Sequence, residues 1–232
     1  MNEYILDLPQ LTIQYPQALP SAQHLLVIGG RPPAADWLRK AAQGRIPWAV
    51  DHGIDICREA GIPPKHLLGD RDSSTKEAWD WGSARAIPVD VYPPEKDLTD
   101  TQIALKQLSG LPHAFAVITG AFGGRFDHAF ANVLSCAHAS IPCCLADEKE
   151  AIAFLKGSME LRIACKKAPA AVSLLPLAEE CSGATISNVH WPLENARLRL
   201  SFPNAISNRL EGKNEFPVAL QRGTLGVYLL WE

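Results

Sequence analysis

The chain has 232 residues, 22 of them basic and 25 acidic, for a formal net charge of -3; 47% are hydrophobic and 20% charged. These values exclude disorder, coiled coil and collagen, and they lack the basic excess of a protein built on nucleic-acid backbones. No apolar run approaches the roughly 18–20 residues of a membrane-spanning helix, and the acidic start MNEYILDLPQ is not a secretory signal, so neither a membrane nor a nucleic acid is an expected partner.

Six cysteines stand at 57, 136, 143, 144, 165 and 181, without C-x-x-C pairs or zinc-finger spacing. Reduced thiols in a cytoplasmic protein are expected.

From about Leu25 to Leu145, short apolar runs alternate with helical patterns. Strands are predicted over 25–29, 46–50, 66–68, 86–93, 115–120 and 141–146, with helices over about 33–43 and 127–138. Continuous apolar strands alternating with helices predict an α/β domain with a mainly parallel sheet, over residues 1–146. After DEKE (147–150) the helical period fades into short apolar runs separated by turn pairs such as Lys156-Gly157 and Arg222-Gly223. Residues 147–232 are therefore predicted to form a second, all-β sandwich domain.

The acids gather at predicted strand ends. Asp51 follows one strand, Asp70 and Asp72 follow another, and Asp97 and Asp100 precede the helical run TQIALKQL. Ligands of an open parallel sheet bind outside its C-terminal strand ends. Carboxylates crowded there repel one another unless a cation joins them, and such oxygen-rich groups suit Mg²⁺ with substrate phosphate. In an extended segment Asp70 and Asp72 face one side. Asp97 and Asp100 lie one helical turn apart. The same residues also fit local roles: Asp97 as an N-cap with Asp100 at N3, and Ser74 with Glu77 as a capping box.

V-I-T-G-A-F-G-G-R-F-D-H runs from strand into helix. Gly120, Gly123 and Gly124 allow a sharp turn or a close approach to a ligand, the helix start favours anions, and Arg125 offers a planar fork for phosphate. No Gly-Lys-Ser/Thr follows, so this is not a Walker A loop. Asp127 suits either a helix cap or a partner of Arg125; His128 suits a surface or packed position more readily than a base. An earlier turn, I-G-G-R (28–31), supplies Gly29, Gly30 and Arg31 as further nucleotide contacts.

Taken in order, G-D-R-D-S (69–73), E-K-D-L-T-D (95–100) and G-A-F-G-G-R-F-D-H-x-x-x-N (120–132) resemble the thiamine pyrophosphokinase family over most of the chain. The resemblance implies an α/β domain with a C-terminal β-sandwich, a homodimer, and transfer of pyrophosphate from ATP to the thiamine hydroxyl with Mg²⁺, leaving AMP. It implies catalytic roles for Asp70, Asp72, Asp100 and Arg125, with Asp70, Asp72 and Asp100 on the metal. Around ATP it implies Asp51, Asp97, Thr99, Gly123, Gly124, Arg125 and Asp127; around thiamine, Trp191, Ser207 and Asn208. On composition alone Trp191 suits core packing; exposed, it would stack on a flat cationic ring. The chain departs from the family pattern at His52, Arg71, Asn188-Val189 and Ala205, where Gly, Phe, Gly-Leu and Ser or Thr are usual. Two other readings fit the motifs: a pyrophosphokinase acting on another alcohol, such as a hydroxymethylpterin, and a nucleotide-sensing module without catalysis.

Overall fold

The computed structural model of the chain describes residues 3–93, 95 and 97–231. Two short strands come first, β1 (Ile5–Asp7) and β2 (Leu11–Gln14). An alternating series follows: β3 (Ala22–Val27), α1 (Ala35–Ala41), β4 (Ile46–Val50), α2 (Gly53–Ala60), β5 (His66–Gly69), α3 (Lys76–Ser83), β6 (Val89–Val91), α4 (Asp100–Ser109), β7 (Ala114–Thr119), α5 (Phe126–His138) and β8 (Cys143–Ala146). The rest is β9 (Glu150–Lys156), β10 (Met159–Cys165), β11 (Ala171–Pro176), β12 (Glu180–Ile186), β13 (Leu193–Arg199), β14 (Glu215–Leu220) and β15 (Thr224–Leu230).

The chain divides into two units. One runs from Pro20 to Asp147; the other joins the segment ending at Leu19 to the chain from Glu148 onward. A first domain over residues 1–146 therefore does not describe the structure, because its opening segment lies elsewhere. The reason is strand pairing. β1 and β2 form a hairpin, and β2 continues antiparallel onto β10, with Ile13 opposite Ile163 and Leu11 opposite Cys165. Leu6, Leu11 and Ile13 are fully buried by this pairing.

In the Pro20–Asp147 unit the strands are parallel, in the order β8-β7-β3-β4-β5-β6. β7 and β8 are buried along their whole length, as continuous apolar strands between two helical layers should be. Right-handed crossovers place α1, α2 and α3 on one face and α4 and α5 on the other, and the helix contacts follow that grouping. The chain moves outward from β3 to β6, then returns to β7 on the other side of β3. That reversal opens a crevice at the C-terminal ends of β3 and β7.

In the second unit the described residues form strands in two antiparallel sheets, β1-β2-β10-β14-β12-β13 and β11-β15-β9. Leu161 faces Val218 and Ile163 faces Phe216 across β10 and β14, and all four are buried. All six cysteines are buried thiols. No helix among the described residues is long and apolar enough to cross a membrane.

One buried polar group ties stability to pH. His24 on β3 is 3% exposed, and Trp48 Nε1 donates to its Nδ1 at 3.0 Å, so that nitrogen carries no proton. His66 stacks on the Trp48 ring, 3.9 Å between centroids. Burial first, and repulsion from His66 second, push the His24 pKa below its usual value of 6.5. The unfolded chain then binds a proton that the folded chain refuses. Stability is full above about pH 6.5 and falls as pH drops below it toward the lowered folded value. Urea unfolding should give a lower stability at pH 5.5 than at pH 7.5, with a smaller difference in His24→Gln, which does not titrate.

Candidate active site

Two glycine loops meet at the crevice. Ile28 N–H donates to Thr119 O (2.9 Å), Gly30 N–H to Gly120 O (2.7 Å) and Arg31 N–H to Phe122 O (2.7 Å). The loops lie so close that a Cβ on Gly30 would sit 2.2 Å from Gly120 O, and one on Gly120 2.1 Å from Ile28 O. Gly30 and Gly120 are thus needed to seat one loop against the other. Gly123 and Gly124, both with positive φ, are exposed and line the cavity beyond.

Arg31, expected at the nucleotide, points elsewhere. Its Nη2 binds Asp147 Oδ2 at 2.6 Å, and the Asp147 side chain is fully buried. The pair ties the first loop to the end of β8, and Arg31 is absent from the cavity lining.

Three acids converge on the cavity from separate elements. Asp51 leaves β4 with φ 56, its N–H donating to Leu68 O at 2.7 Å. Asp70 follows β5. Asp100 opens α4 behind a full capping box of Thr99 and Gln102, so Thr99, not Asp97, is the N-cap. One carboxylate oxygen from each of Asp51, Asp70 and Asp100 lies within 4.8 Å of the others. At that separation each pair of charges repels by about 3 kcal/mol in an effective dielectric near 20. A hard cation removes that repulsion, and oxygen-only donors suit Mg²⁺ or Ca²⁺.

Asp72 is not in this group. The extended backbone that would align it with Asp70 ends at Gly69: Arg71 turns left-handed (φ 73), and the Asp72 N–H folds back onto Asp70 Oδ1 at 3.1 Å. Asp72 is exposed and does not line the cavity.

The loop carrying Asp70 is held from α2. Ser73 Oγ donates to Asp51 Oδ1, and His52 Nδ1 donates to Ser73 O at 2.9 Å. Buried Asp55 accepts from the N–H (3.1 Å) and the hydroxyl of Thr75, the residue that caps α3. The helix start predicted from Ser74 therefore lies one residue later: Thr75 is a simple N-cap, and Ala78 at N3 cannot complete a capping box. His52 thus braces this loop.

Arg125 stands at the N-cap of α5, and its guanidinium grips Asp127 in two places, 3.1 Å and 2.5 Å. Asp127 thus holds Arg125, and that bond is the main cause of its lowered pKa. Arg125 lines the cavity and Asp127 does not. The cavity encloses about 610 Å³ and is also lined by Gly29, Asp97, Leu98, Thr99, His128 and Asn132. Arg125, His128, Ala129 and Asn132 form an i, i+3, i+4, i+7 stripe on one side of α5. That spacing was readable in the chain and marks Asn132, which sequence reasoning left without a role. Its Nδ2 reaches Ala121 O at 3.4 Å, supporting the glycine loop.

The second unit carries a smaller pocket of about 260 Å³. Trp191, Ala205 and Asn208 line it with Leu174, Ile186 and Ile206, whereas Ser207 does not. Ser207 is exposed at φ 59, its N–H donating to Ser173 Oγ.

Family models account for both halves of the chain. The model for the catalytic domain of thiamin pyrophosphokinase matches residues 38–145, and the model for its vitamin B1 binding domain matches residues 160–225. The chain belongs to the thiamine pyrophosphokinase family. Thiamine pyrophosphokinase of Bacillus subtilis is 29% identical over 164 residues, 69% of this chain and 76% of that protein. The crystal structure of the Bacillus subtilis family member superposes with a TM-score of 0.77 at 26% identity, covering 90% of this chain and 99% of that one. Thiamin pyrophosphokinase from Candida albicans, 14% identical, shares the fold with a TM-score of 0.74 over 93% of this chain and 95% of its own. The catalytic match spans the acid triad and the Arg125 loop, and the vitamin-binding match spans Trp191 and Asn208. The Gly29–Arg31 turn lies ahead of both.

Proposed function

We propose that the protein is a thiamine diphosphokinase: it transfers pyrophosphate from Mg-ATP to the hydroxyl of thiamine, giving thiamine diphosphate and AMP. The thiamine oxygen forms a bond to the β-phosphorus of ATP, the bond from that phosphorus to the α-phosphate oxygen breaks, AMP departs, and the hydroxyl proton is lost. The observation that carries this reading is the convergence of Asp51, Asp70 and Asp100 beside a glycine–arginine loop at the switch point of the sheet, inside the segment matched as catalytic.

Asp51, Asp70 and Asp100 would hold the divalent metal, which neutralises phosphate charge when bound. Gly123 and Gly124 admit the phosphates close to the main chain. Thr99 fixes the start of α4 and with it the direction of Asp100. Arg125 exchanges its Asp127 partner for phosphate oxygens. No histidine base is required. His52 Nδ1 is committed to Ser73 O, and in a loose transition state the hydroxyl proton leaves late, to solvent or a cavity carboxylate.

Arg125→Lys should lose activity although the charge is kept, because lysine cannot present two parallel donors. AMP release reports it; a variant matching wild type would remove Arg125 from the phosphate site.

The pocket beside Trp191 is the acceptor site in this reading. Trp191 (58% exposed), Leu200 (54%), Phe202 (67%) and Ile206 (55%) leave an apolar surface on the second unit, which supports a homodimer. Six buried thiols suit a reducing cytoplasm. The test of function is incubation with Mg-ATP and either thiamine or a hydroxymethylpterin. AMP together with thiamine diphosphate supports the proposal. A pterin diphosphate product would move the acceptor assignment, and nucleotide binding without AMP would leave only a sensing module.

A further inference from the structure

The family pattern places Asn208 against the acceptor, but its side chain is already engaged elsewhere. Oδ1 accepts the main-chain N–H of Trp191 at 3.1 Å and of Arg209 at 2.9 Å, while Nδ2 donates to Trp191 O at 2.8 Å. Two N–H groups facing one end of the amide fix its orientation. Both main-chain polar groups of Trp191 are therefore satisfied by a single side chain, and one Nδ2–H remains.

This bracing meets a local need. Trp191 sits in the connection between β12 and β13, just after the left-handed turn at Asn188 (φ 59). The residue stays 58% exposed, its ring in edge contact with His190 (4.5 Å between centroids) and approached by the Arg209 guanidinium at 5.8 Å. A ring on such a loop has few contacts to hold its angle. Asn208 has an anchor, because its main chain exchanges two 2.8 Å hydrogen bonds with Val172 of β11, which is fully buried. The amide thus refers the position of Trp191 to the sheet beneath the pocket.

We infer that Asn208 is a positioning residue: it fixes Trp191 as the wall of the pocket and acts on the acceptor through that ring, not by touching the acceptor. The inference rests on the reading of this pocket as the thiamine site. A positioning role predicts that removing the brace and removing the ring do the same damage once. A direct contact predicts that the two losses multiply.

The experiment compares Trp191→Ala, Asn208→Ala, the double variant and Asn208→Asp by steady-state kinetics, with hydrogen exchange over residues 189–192 in the intact protein. Trp191→Ala should raise the thiamine KM about tenfold, the scale of a lost aromatic stack. Asn208→Ala should raise it by a similar factor, and the double variant by no more than the larger single effect. The ATP KM should stay within about twofold, and exchange over 189–192 should quicken in Asn208→Ala. Asn208→Asp keeps the acceptor for both N–H groups and should recover part of the loss. Multiplying effects, or an Asn208→Ala protein with unchanged thiamine KM and exchange beside an impaired Trp191→Ala, would overturn the inference and leave the acceptor site standing. A Trp191→Ala protein with unchanged thiamine KM would overturn the acceptor site itself and this role with it.

Discussion

Replacing Asp100 with asparagine is expected to cut turnover at saturating thiamine and Mg-ATP by about a hundredfold or more, the scale of a lost electrostatic contact to a transition state. Asp100 is one of three carboxylates whose oxygens come within 4.8 Å, and it reaches that point from the first turn of α4. Asparagine keeps the shape and removes the charge. The melting temperature without metal should hold, because asparagine keeps the shape and the Thr99–Gln102 box still caps the helix. Activity lost with stability kept would separate a functional acid from a structural one. Near-normal AMP release would remove Asp100 from the metal site.

The second large effect concerns stability. Asp147→Asn should lower the unfolding free energy by about 3 kcal/mol, since a fully buried carboxylate loses its charge and its short bond to the Arg31 guanidinium. For a chain of this size that corresponds to roughly 6–12 °C in melting temperature. Asp147 is fully buried and meets Arg31 at 2.6 Å, while Arg31 keeps 30% exposure, which places the expectation at the lower end of the range for buried pairs. Arg31 also holds its loop to Phe122 O through the main chain, so the glycine loops should loosen together. Calorimetry on both proteins at pH 7.5 decides it; an unchanged melting temperature would show that the pair contributes nothing.

The parallel sheet was legible because its strands are apolar along their length and its helices are not. The acids at the ends of β4 and β5 were legible because a strand's end can be read from where its apolar run stops. What stayed hidden depended on backbone turns. Asp72 looks equivalent to Asp70 by spacing, yet a left-handed Arg71 between them swings it away. Arg31 and Asp147 are 116 positions apart, and nothing local joins them. Asn208 reads as a ligand contact in a family motif, and only coordinates reveal that Trp191 occupies its amide. The hairpin of β1 and β2 was missed because each strand is short and its partner is remote.

That hairpin has a consequence for the order of synthesis. β2 leaves the ribosome well ahead of the strand it pairs with, β10, which is made about 150 residues later. At common elongation rates the wait is roughly 7–30 s. During that time Leu6, Leu11 and Ile13 have no sheet to enter, although the alternating unit between them and β10 can already fold. The nascent chain therefore carries an apolar, strand-forming segment without its partner strand throughout that interval, a natural target for a chaperone. A fragment starting at Glu148 would show the reciprocal defect, with the β10 edge left open to pair with a neighbour.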